Sequence, residues 1–354
     1  MTSRSTATSL LLIVILVVFT AGGCSHAKTR HNEVLRMTTD DGAVLQLKRY
    51  LPSDGNSGNV PVLLIHGMGA TGMNFSVPEY GLAEYLSSLG YDCFVADLRG
   101  DPETEAPAGK GRFDFNLDDH VQHDMPALVA AVQQSTGSER MHMVGHSMGG
   151  VIIGSYMSFF GDEPVQSAVI VASPFRFRNN PDIYLFGAEH IKTIHRLPTF
   201  PVASSQKTLG RLLGAFDLWI EVFLYNPDNM DAKRLLAFSQ GGLAATPAKV
   251  LAQFADNMRD NSNRTWDRSF DYTANLSRIS APSLWIAGKA DEICQPVNVR
   301  LGYEVAGGSD KQYFLAGRSN GFKVDYGHGD LLLGVYTADE IFPLIEVFLA
   351  EHQP

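Results

Sequence analysis

Hydrophobic and polar positions alternate in two segments near the start of the chain, residues 34–38 and 44–50. An Asp-Asp-Gly sequence at residues 40–42 separates them, which is typical of a β-hairpin. Residues 61–65 form instead a continuous apolar run, which indicates a strand buried on both faces. The pattern therefore predicts an antiparallel pair of strands that leads into a buried sheet.

Amphipathic segments that fit helices then alternate with short apolar segments that fit strands. Helices are predicted at 79–89, 117–134, 147–160 and 338–351, and further strands at 91–96, 140–144, 167–171, 283–287 and 312–315. Repeated strand–helix–strand units require a parallel sheet with helices on both faces. The predicted fold class is α/β, with a doubly wound, mostly parallel sheet.

The regular pattern stops between residues 174 and 270, where the chain is rich in aromatic side chains. Because this segment directly follows a predicted strand, it is interpreted as an inserted cap, or lid, over the edge of the sheet. Its aromatic side chains either line an apolar pocket or pack against one another, and the two interpretations are compatible. The aromatic residues are Phe175, Phe177, Tyr184, Phe186, Phe200, Phe216, Trp219, Phe223 and Tyr225.

The N-terminus carries an apolar run of about a dozen residues that ends in small residues, too short for the roughly 20 residues that span a bilayer. Ala21-Gly22-Gly23 before Cys24 resembles the lipobox of bacterial lipoproteins, which implies that Cys24 is lipidated and begins the mature chain. Residues 1–23 are thus predicted as a signal peptide and 24–33 as a lipidated tether of an exported protein on the cell membrane or outer membrane. An ordinary cleaved signal and an uncleaved anchor stay open.

Composition excludes several classes of protein. The 354 residues are 45% hydrophobic, enough for one large core or two modest ones. Thirty-eight acidic against 28 basic residues give a net charge of −10 without a dense basic block, so no nucleic-acid partner is expected. Cys24, Cys93 and Cys294 are too far apart in sequence to suggest a disulfide framework or a zinc site.

Two pairs of histidines have a spacing that metal ligands also use. They are His142 with His146 and His120 with His123. A residue in a strand and one on the following turn need not share a face, so no metal site is predicted from the first pair, and none is assigned to the second.

The sequence Gly145-His146-Ser147-Met148-Gly149 joins a predicted strand to a predicted helix. Glycines around such a sharp turn let the strand and helix approach closely and leave the serine hydroxyl at the carboxyl edge of the sheet. Ser147 is therefore the candidate nucleophile. His146 is expected only to pack beside the turn.

A serine nucleophile needs a base and a group that orients the base. Asp291 and His328 each follow a later strand, in that order, at the edge where an α/β sheet carries its active site. A glycine-rich loop also follows the strand that ends at residue 65. The backbone amides of Met68 and Met148 are predicted to form an oxyanion hole.

Together these motifs resemble the α/β-hydrolase superfamily, over about residues 34–173 and 271–354. The segment 118–127 resembles its lipase and esterase branch. It is also similar to polyhydroxyalkanoate synthases, which carry cysteine where this chain has Ser147. The resemblance implies an α/β-hydrolase fold with residues 174–270 as the cap, and hydrolysis of esters without a metal or organic cofactor.

The function predicted is a membrane-tethered serine hydrolase of carboxylic esters with lipid or aliphatic acyl groups, acting through an acyl-enzyme on Ser147. An acyltransferase with the same acyl-enzyme and a non-catalytic lipid-binding lipoprotein are the alternatives. His66 is interpreted as a structural residue of its loop, and Cys294 is given no role. The acidic residues from Asp101 to Asp119 are expected to be solvated. The oligomeric state is left open.

Overall fold

The structure is a computed structural model that describes residues 31–53, 58–178 and 224–354 and the strand Thr199–Phe200. The predicted signal peptide, Cys24 and residues 179–198 and 201–223 of the predicted cap lie outside the described residues. Among those that are described, no helix has the length and apolar character needed to cross a bilayer.

A mostly parallel sheet forms the centre of the described chain, in the order β1-β2-β4-β3-β5-β6-β9-β10. Its strands are β1 (Glu33–Thr38), β2 (Val44–Tyr50), β3 (Val62–Ile65), β4 (Cys93–Asp97), β5 (Met141–His146), β6 (Val165–Val171), β9 (Ser283–Gly288) and β10 (Lys311–Ala316). β2 is antiparallel to β1 and β4, and the other neighbours are parallel. The predicted α/β fold class and opening hairpin are confirmed. A small second pair joins β7 (Thr199–Phe200) to β8 (Thr246–Pro247).

Helices follow most of the parallel strands. In the described part of the chain the α-helices are α1 (Met73–Ser76), α2 (Leu82–Ser88), α3 (Leu117–Asp119), α4 (Met125–Thr136), α5 (Met148–Phe160), α6 (Ala232–Ser239), α7 (Ala248–Asp260), α8 (Tyr272–Asn275), α9 (Pro296–Val305), α10 (Asp330–Leu333) and α11 (Thr337–Glu351). A π-helical turn, His120–Asp124, joins α3 to α4. The sequence pattern therefore predicted one helix, 117–134, where the structure has three consecutive helical segments.

Two helix predictions differ from the structure for local reasons. The helix predicted from residue 79 begins at Leu82, because Glu79 has a left-handed φ of 71° that no α-helix accepts. α9 was not predicted, since its valines favour strands and blur the helical pattern.

The core lies on both faces of the sheet. β3, β4 and β5 are buried along their whole length, which explains their continuous apolar sequences. α5 is buried from Met148 to Ser158 and holds the centre of one face. Phe175, expected in the cap, is fully buried and packs edge-on against Trp285 at a centroid distance of 5.5 Å. This aromatic residue therefore belongs to the core, and the interpretation of it as part of a lid was wrong.

Candidate active site

Ser147 lies on a tight turn between β5 and α5. Its φ of 56° and ψ of −121° are values that a side-chain-bearing residue rarely adopts. A Cβ atom at Gly149 would lie 1.9 Å from the carbonyl oxygen of Ile65, and one at Gly145 would lie 2.5 Å from the backbone of Gly149. These glycines allow strand and helix to approach closely enough to force the turn, which places Ser147 at the carboxyl edge of the sheet.

The glycine-rich loop after β3 lies against Ser147. A Cβ atom at Gly67 would be 3.0 Å from the Cβ of Ser147. In the part of the chain that the structure describes, no backbone hydrogen bond uses the N–H of Met68 or Met148. Met148 is also the first residue of α5, where the helix dipole is positive. Both amides are therefore available to an anionic oxygen formed at Ser147.

Asp291 and His328, which follow β9 and β10, meet at the same edge. Nδ1 of His328 lies 2.8 Å from Oδ2 of Asp291, and both residues are buried. Oδ1 of Asp291 accepts the N–H groups of Ile293, at 2.9 Å, and Cys294, at 2.8 Å. Burial opposes a charge on the imidazole, but the neighbouring carboxylate outweighs it and holds the pKa of His328 well above its usual value.

Cys294, which follows Asp291 by three residues and was assigned no role from the sequence, is a buried neighbour of this pair. Its thiol lies close enough to the imidazole of His328 and the hydroxyl of Ser147 to interact with both. The three side chains therefore share one small volume. Burial raises the pKa of the Cys294 thiol, so this sulfur stays protonated at neutral pH.

Asp330 organises the loop that carries His328. Its Oδ1 accepts the N–H groups of Gly327 and Asn226, and its Oδ2 accepts from the side chain of Asn229, each at 2.9 Å. Burial raises the pKa of Asp330 to about 6 in spite of these hydrogen bonds. The backbone of the histidine loop is thus built around one buried carboxyl group.

His66 and Asp101 form a buried pair that supports the glycine-rich loop. Nε2 of His66 lies 3.0 Å from Oδ2 of Asp101, and Nδ1 lies 2.9 Å from the carbonyl oxygen of Gly67. Burial disfavours the imidazolium, but the nearby carboxylate outweighs it and raises the pKa of His66. His66 therefore has the structural position expected of it. Asp101 is only 4% exposed, so the expectation that it is solvated was wrong.

The described part of the predicted cap is joined to the same loop. The N–H of Thr71 donates to the carbonyl of Gly242 at 3.0 Å, and the N–H of Ala244 donates to that of Gly69 at 2.9 Å. The side chain of Thr71 also donates to the carbonyl of Gly241 at 2.8 Å. Residues 241–244 therefore extend the glycine-rich loop as a short antiparallel pair.

The histidines considered for metal pairs have other partners. Nδ1 of His142 lies 2.8 Å from Oγ of Ser167, and His120 lies 2.8 Å from Asp124. Ligand atoms of Asp40, Asp41 and His123 come within 4.8 Å of one another. Nδ1 of His123 contacts Asp40 at 2.6 Å, and Asp41 pairs with Arg99 at 3.0 Å, so ion pairing accounts for this grouping.

A mostly parallel sheet with a serine on the strand–helix turn, and an aspartate and a histidine after later strands, defines the α/β-hydrolase fold. The family model described as alpha/beta hydrolase fold matches residues 60–303. The chain belongs to this family.

Curated relatives include lipases. The chain is 31% identical to the human gastric triacylglycerol lipase over 132 residues, which are 34% of this chain and 33% of that protein. It is 24% identical to human lipase member K over 303 residues, covering 74% and 75% of the two chains. The match to the gastric lipase thus spans about a third of that protein's length.

Solved structures with a similar fold include bacterial esterases and lipases. A thermophilic esterase from Thermogutta terrifontis superposes with a TM-score of 0.59 at 16% identity, covering 91% of this chain and 100% of the esterase. A putative lipase from Acinetobacter baumannii gives a TM-score of 0.57 at 18% identity, with 90% and 91% coverage. At these identities the likeness establishes the fold alone.

Proposed function

We propose that the protein is a serine hydrolase of carboxylic esters. The observation that carries this proposal is that a strained serine at the start of α5 and a buried Asp291–His328 pair lie at the same edge of the sheet, with Cys294 beside both. A serine hydroxyl needs a base and an oriented imidazole to react at neutral pH. The lipase and esterase names of the relatives support the same class of substrate.

In the proposed mechanism the Nδ1–H of His328 donates a hydrogen bond to the carboxylate of Asp291, which leaves Nε2 of the neutral imidazole as the base. Nε2 takes the proton of Ser147 while the serine oxygen attacks the acyl carbon of the ester. The amides of Met68 and Met148 bind the oxyanion that forms. His328 then gives its proton to the leaving alcohol, and a water molecule, activated by the same imidazole, releases the acid from Ser147.

The substrate we propose is an ester with an apolar, aliphatic acyl group. A narrow cavity lies beside the glycine-rich loop. Its lining includes both apolar and polar side chains, namely Met68, Phe115, Met148 and Val250 and also His66, Arg99, Asp101 and His120. Met68 is 38% exposed, which is unusual for a large apolar residue at a catalytic edge. The apolar side chains of this lining, with the exposed Met68 among them, support an alkyl chain as the acyl group.

Labelling with a fluorophosphonate probe tests the nucleophile. We expect the wild-type protein to be labelled at Ser147 and Ser147→Ala to lose both labelling and ester hydrolysis. Ser135→Ala is the matched control, since the hydroxyl of Ser135 donates to the backbone carbonyl of Ala131 in its own helix at 2.7 Å. Undiminished labelling of Ser147→Ala would remove Ser147 from this role.

A series of p-nitrophenyl esters from acetate to palmitate tests the acyl group. We expect kcat/KM to rise from acetate toward medium or long chains, because each buried methylene contributes about 0.8 kcal/mol. A maximum at acetate would contradict the apolar pocket. Product analysis with added glycerol separates hydrolysis from transfer to an alcohol.

We also propose that the enzyme is held on a membrane by acyl chains on Cys24, as its lipobox-like sequence suggests. In the described chain β1 begins at Glu33, which pairs with Arg49 near the amino ends of the parallel strands. The tether would then join the sheet at the edge opposite Ser147. Growth with an alkyne fatty acid should label the wild-type protein and not Cys24→Ala, whereas equal detergent partitioning of both would contradict an anchor.

A further inference from the structure

His146, the residue before the candidate nucleophile, has contacts that packing beside the turn does not require. It ends β5 and is only 4% exposed. Its ring lies beside that of His328, with 4.7 Å between centroids and an interplanar angle of 43°. It therefore occupies the space between the serine turn and the histidine loop.

Both ring nitrogens of His146 reach other parts of the chain. Nδ1 lies 3.0 Å from Oδ1 of Asn74, in α1, and Nε2 lies 3.2 Å from the backbone carbonyl oxygen of His328. Asn74 is itself buried. The imidazole thus connects a short helix near the glycine-rich loop to the main chain of the proposed catalytic base.

The chemistry of these partners fixes the tautomer of the ring. Burial lowers the pKa of His146 well below its usual value, and the neighbouring histidines, His328 and His66, act in the same direction. A neutral imidazole has one N–H, and the carbonyl of His328 can only accept. The proton is therefore on Nε2. A half-turn of the Asn74 side-chain amide, which exchanges the positions of its oxygen and its NH₂ group, then gives Nδ1 a donor.

Resting on the proposed function, we propose that His146 is a positioning residue. Nε2 of His146 holds the backbone carbonyl of His328, while Asp291 orients the imidazole of His328 through Nδ1 of that ring. The two contacts act on different parts of the same residue, at 3.2 Å on its carbonyl and 2.8 Å on its side chain. A displacement of about 1 Å in a reacting group can cost about 10²-fold in rate. Loss of the backbone contact is therefore expected to lower kcat without weakening substrate binding.

Two substitutions of His146 separate positioning from packing. His146→Phe keeps a flat ring and removes both hydrogen bonds, whereas His146→Gln keeps a donor near Nε2 and an acceptor beside it. With a short soluble ester we expect the Phe variant to lose about 10²-fold in kcat with KM nearly unchanged, and the Gln variant to recover most of that loss. A Phe variant with wild-type kcat, or one more active than the Gln variant, would overturn the proposal.

The tautomer is measured in the unmodified protein, so this test does not depend on a variant that folds. Long-range ¹H–¹⁵N NMR distinguishes Nε2-protonated from Nδ1-protonated imidazoles, and the signal missing from His146→Gln assigns the residue. We expect an Nε2-protonated ring that does not titrate between pH 5 and 9. An Nδ1-protonated ring, or titration near the ordinary histidine pKa of about 6.5, would contradict the proposed contact.

The two proposals fail in distinguishable ways. Activity that persists in Ser147→Ala would remove the proposed function and this role with it. If Ser147→Ala is inactive and unlabelled while His146→Phe has full kcat, only the positioning role fails. Asp291 and Cys294 also contact the ring of His328, so the pH profile of each variant should be recorded with both residues intact.

Discussion

The serine turn and the histidine loop meet at one edge of the sheet, but different forces hold them. The turn is fixed by close backbone packing, since a Cβ atom at Gly149 would lie 1.9 Å from the carbonyl oxygen of Ile65. The histidine loop is fixed by polar side chains, since Asp330 accepts three hydrogen bonds and Asp291 accepts one from Nδ1 of His328. Steric exclusion governs the first region and hydrogen bonding the second.

This difference predicts which substitutions and which pH changes disrupt each region. Overlap with backbone atoms cannot be relieved by rotating a side chain, so the turn should tolerate almost no added volume and be nearly insensitive to pH. Hydrogen bonds to buried carboxyl groups depend on their charge, so the loop should tolerate changes of shape better than changes of charge.

The largest effect is expected from Gly149→Ala. The added methyl group would overlap backbone atoms of Ile65 and His66, and the strand and helix would have to separate. We expect the free energy of unfolding to fall by more than about 3 kcal/mol and ester hydrolysis to be lost. Gly111→Ala is the control, because its Cβ would meet nothing closer than 3.8 Å. Urea denaturation of both variants measures the effect, and equal midpoints would refute the steric account.

Asp291→Asn tests the loop at the side chain that orients His328. An amide cannot stabilise the imidazolium, and it favours the wrong tautomer, so we expect kcat to fall by about 10⁴-fold with little change in folding. The negative charge of Asp291 raises the pKa of His328, so its removal should move the acidic limb of the kcat/KM profile to lower pH. A limb that stays in place would show that another group sets this pKa.

Asp330→Asn tests whether the loop is sensitive to pH. The pKa of Asp330 rises from 3.8 to about 6 in the folded protein. Between these values the folded state binds more protons than the unfolded state, so this group lowers stability as pH increases, by about 3 kcal/mol in total. The variant lacks this dependence. The free energy of unfolding of the variant should therefore lie furthest below that of wild type near pH 4. This stability deficit should shrink by about 3 kcal/mol toward pH 7.

Urea denaturation at pH 4, 5, 6 and 7 measures this deficit. Asp339→Asn is the control, since Asp339 is an exposed acid that pairs with Lys323 at 2.8 Å. A deficit of Asp330→Asn that is constant with pH would mean that the carboxyl group is ionised throughout.

The serine turn could be predicted from sequence because its requirements are local. Gly145, Ser147 and Gly149 lie within five residues, and the strand and helix beside them have clear hydrophobic patterns. Asp291 and His328 could be located as candidates because each follows a strand of the same parallel sheet, although no local pattern states that their side chains meet.

The supporting groups could not be predicted, because their contacts join distant parts of the chain. Asp101 lies 35 residues from His66 in sequence, within an acidic stretch that resembles an exposed loop. Asn226 and Asn229 reach Asp330 across about 100 residues. Cys294 lies three residues after Asp291, but no pattern in the sequence states that its thiol reaches His328. Such contacts follow from tertiary packing, which no periodicity records.

Gly150→Ala tests whether all positions of the turn are equally restricted, and its effect should be the smallest. A Cβ atom here would meet Oγ of Ser173 at 2.1 Å and its Cβ at 2.9 Å, and these belong to a side chain rather than the backbone. We expect a loss of about 1–2 kcal/mol in unfolding free energy, partly restored in the double variant with Ser173→Gly. Because no side-chain change can restore Gly149→Ala in this way, a double variant no more stable than Gly150→Ala would show that the backbone around Gly145 limits this position as well.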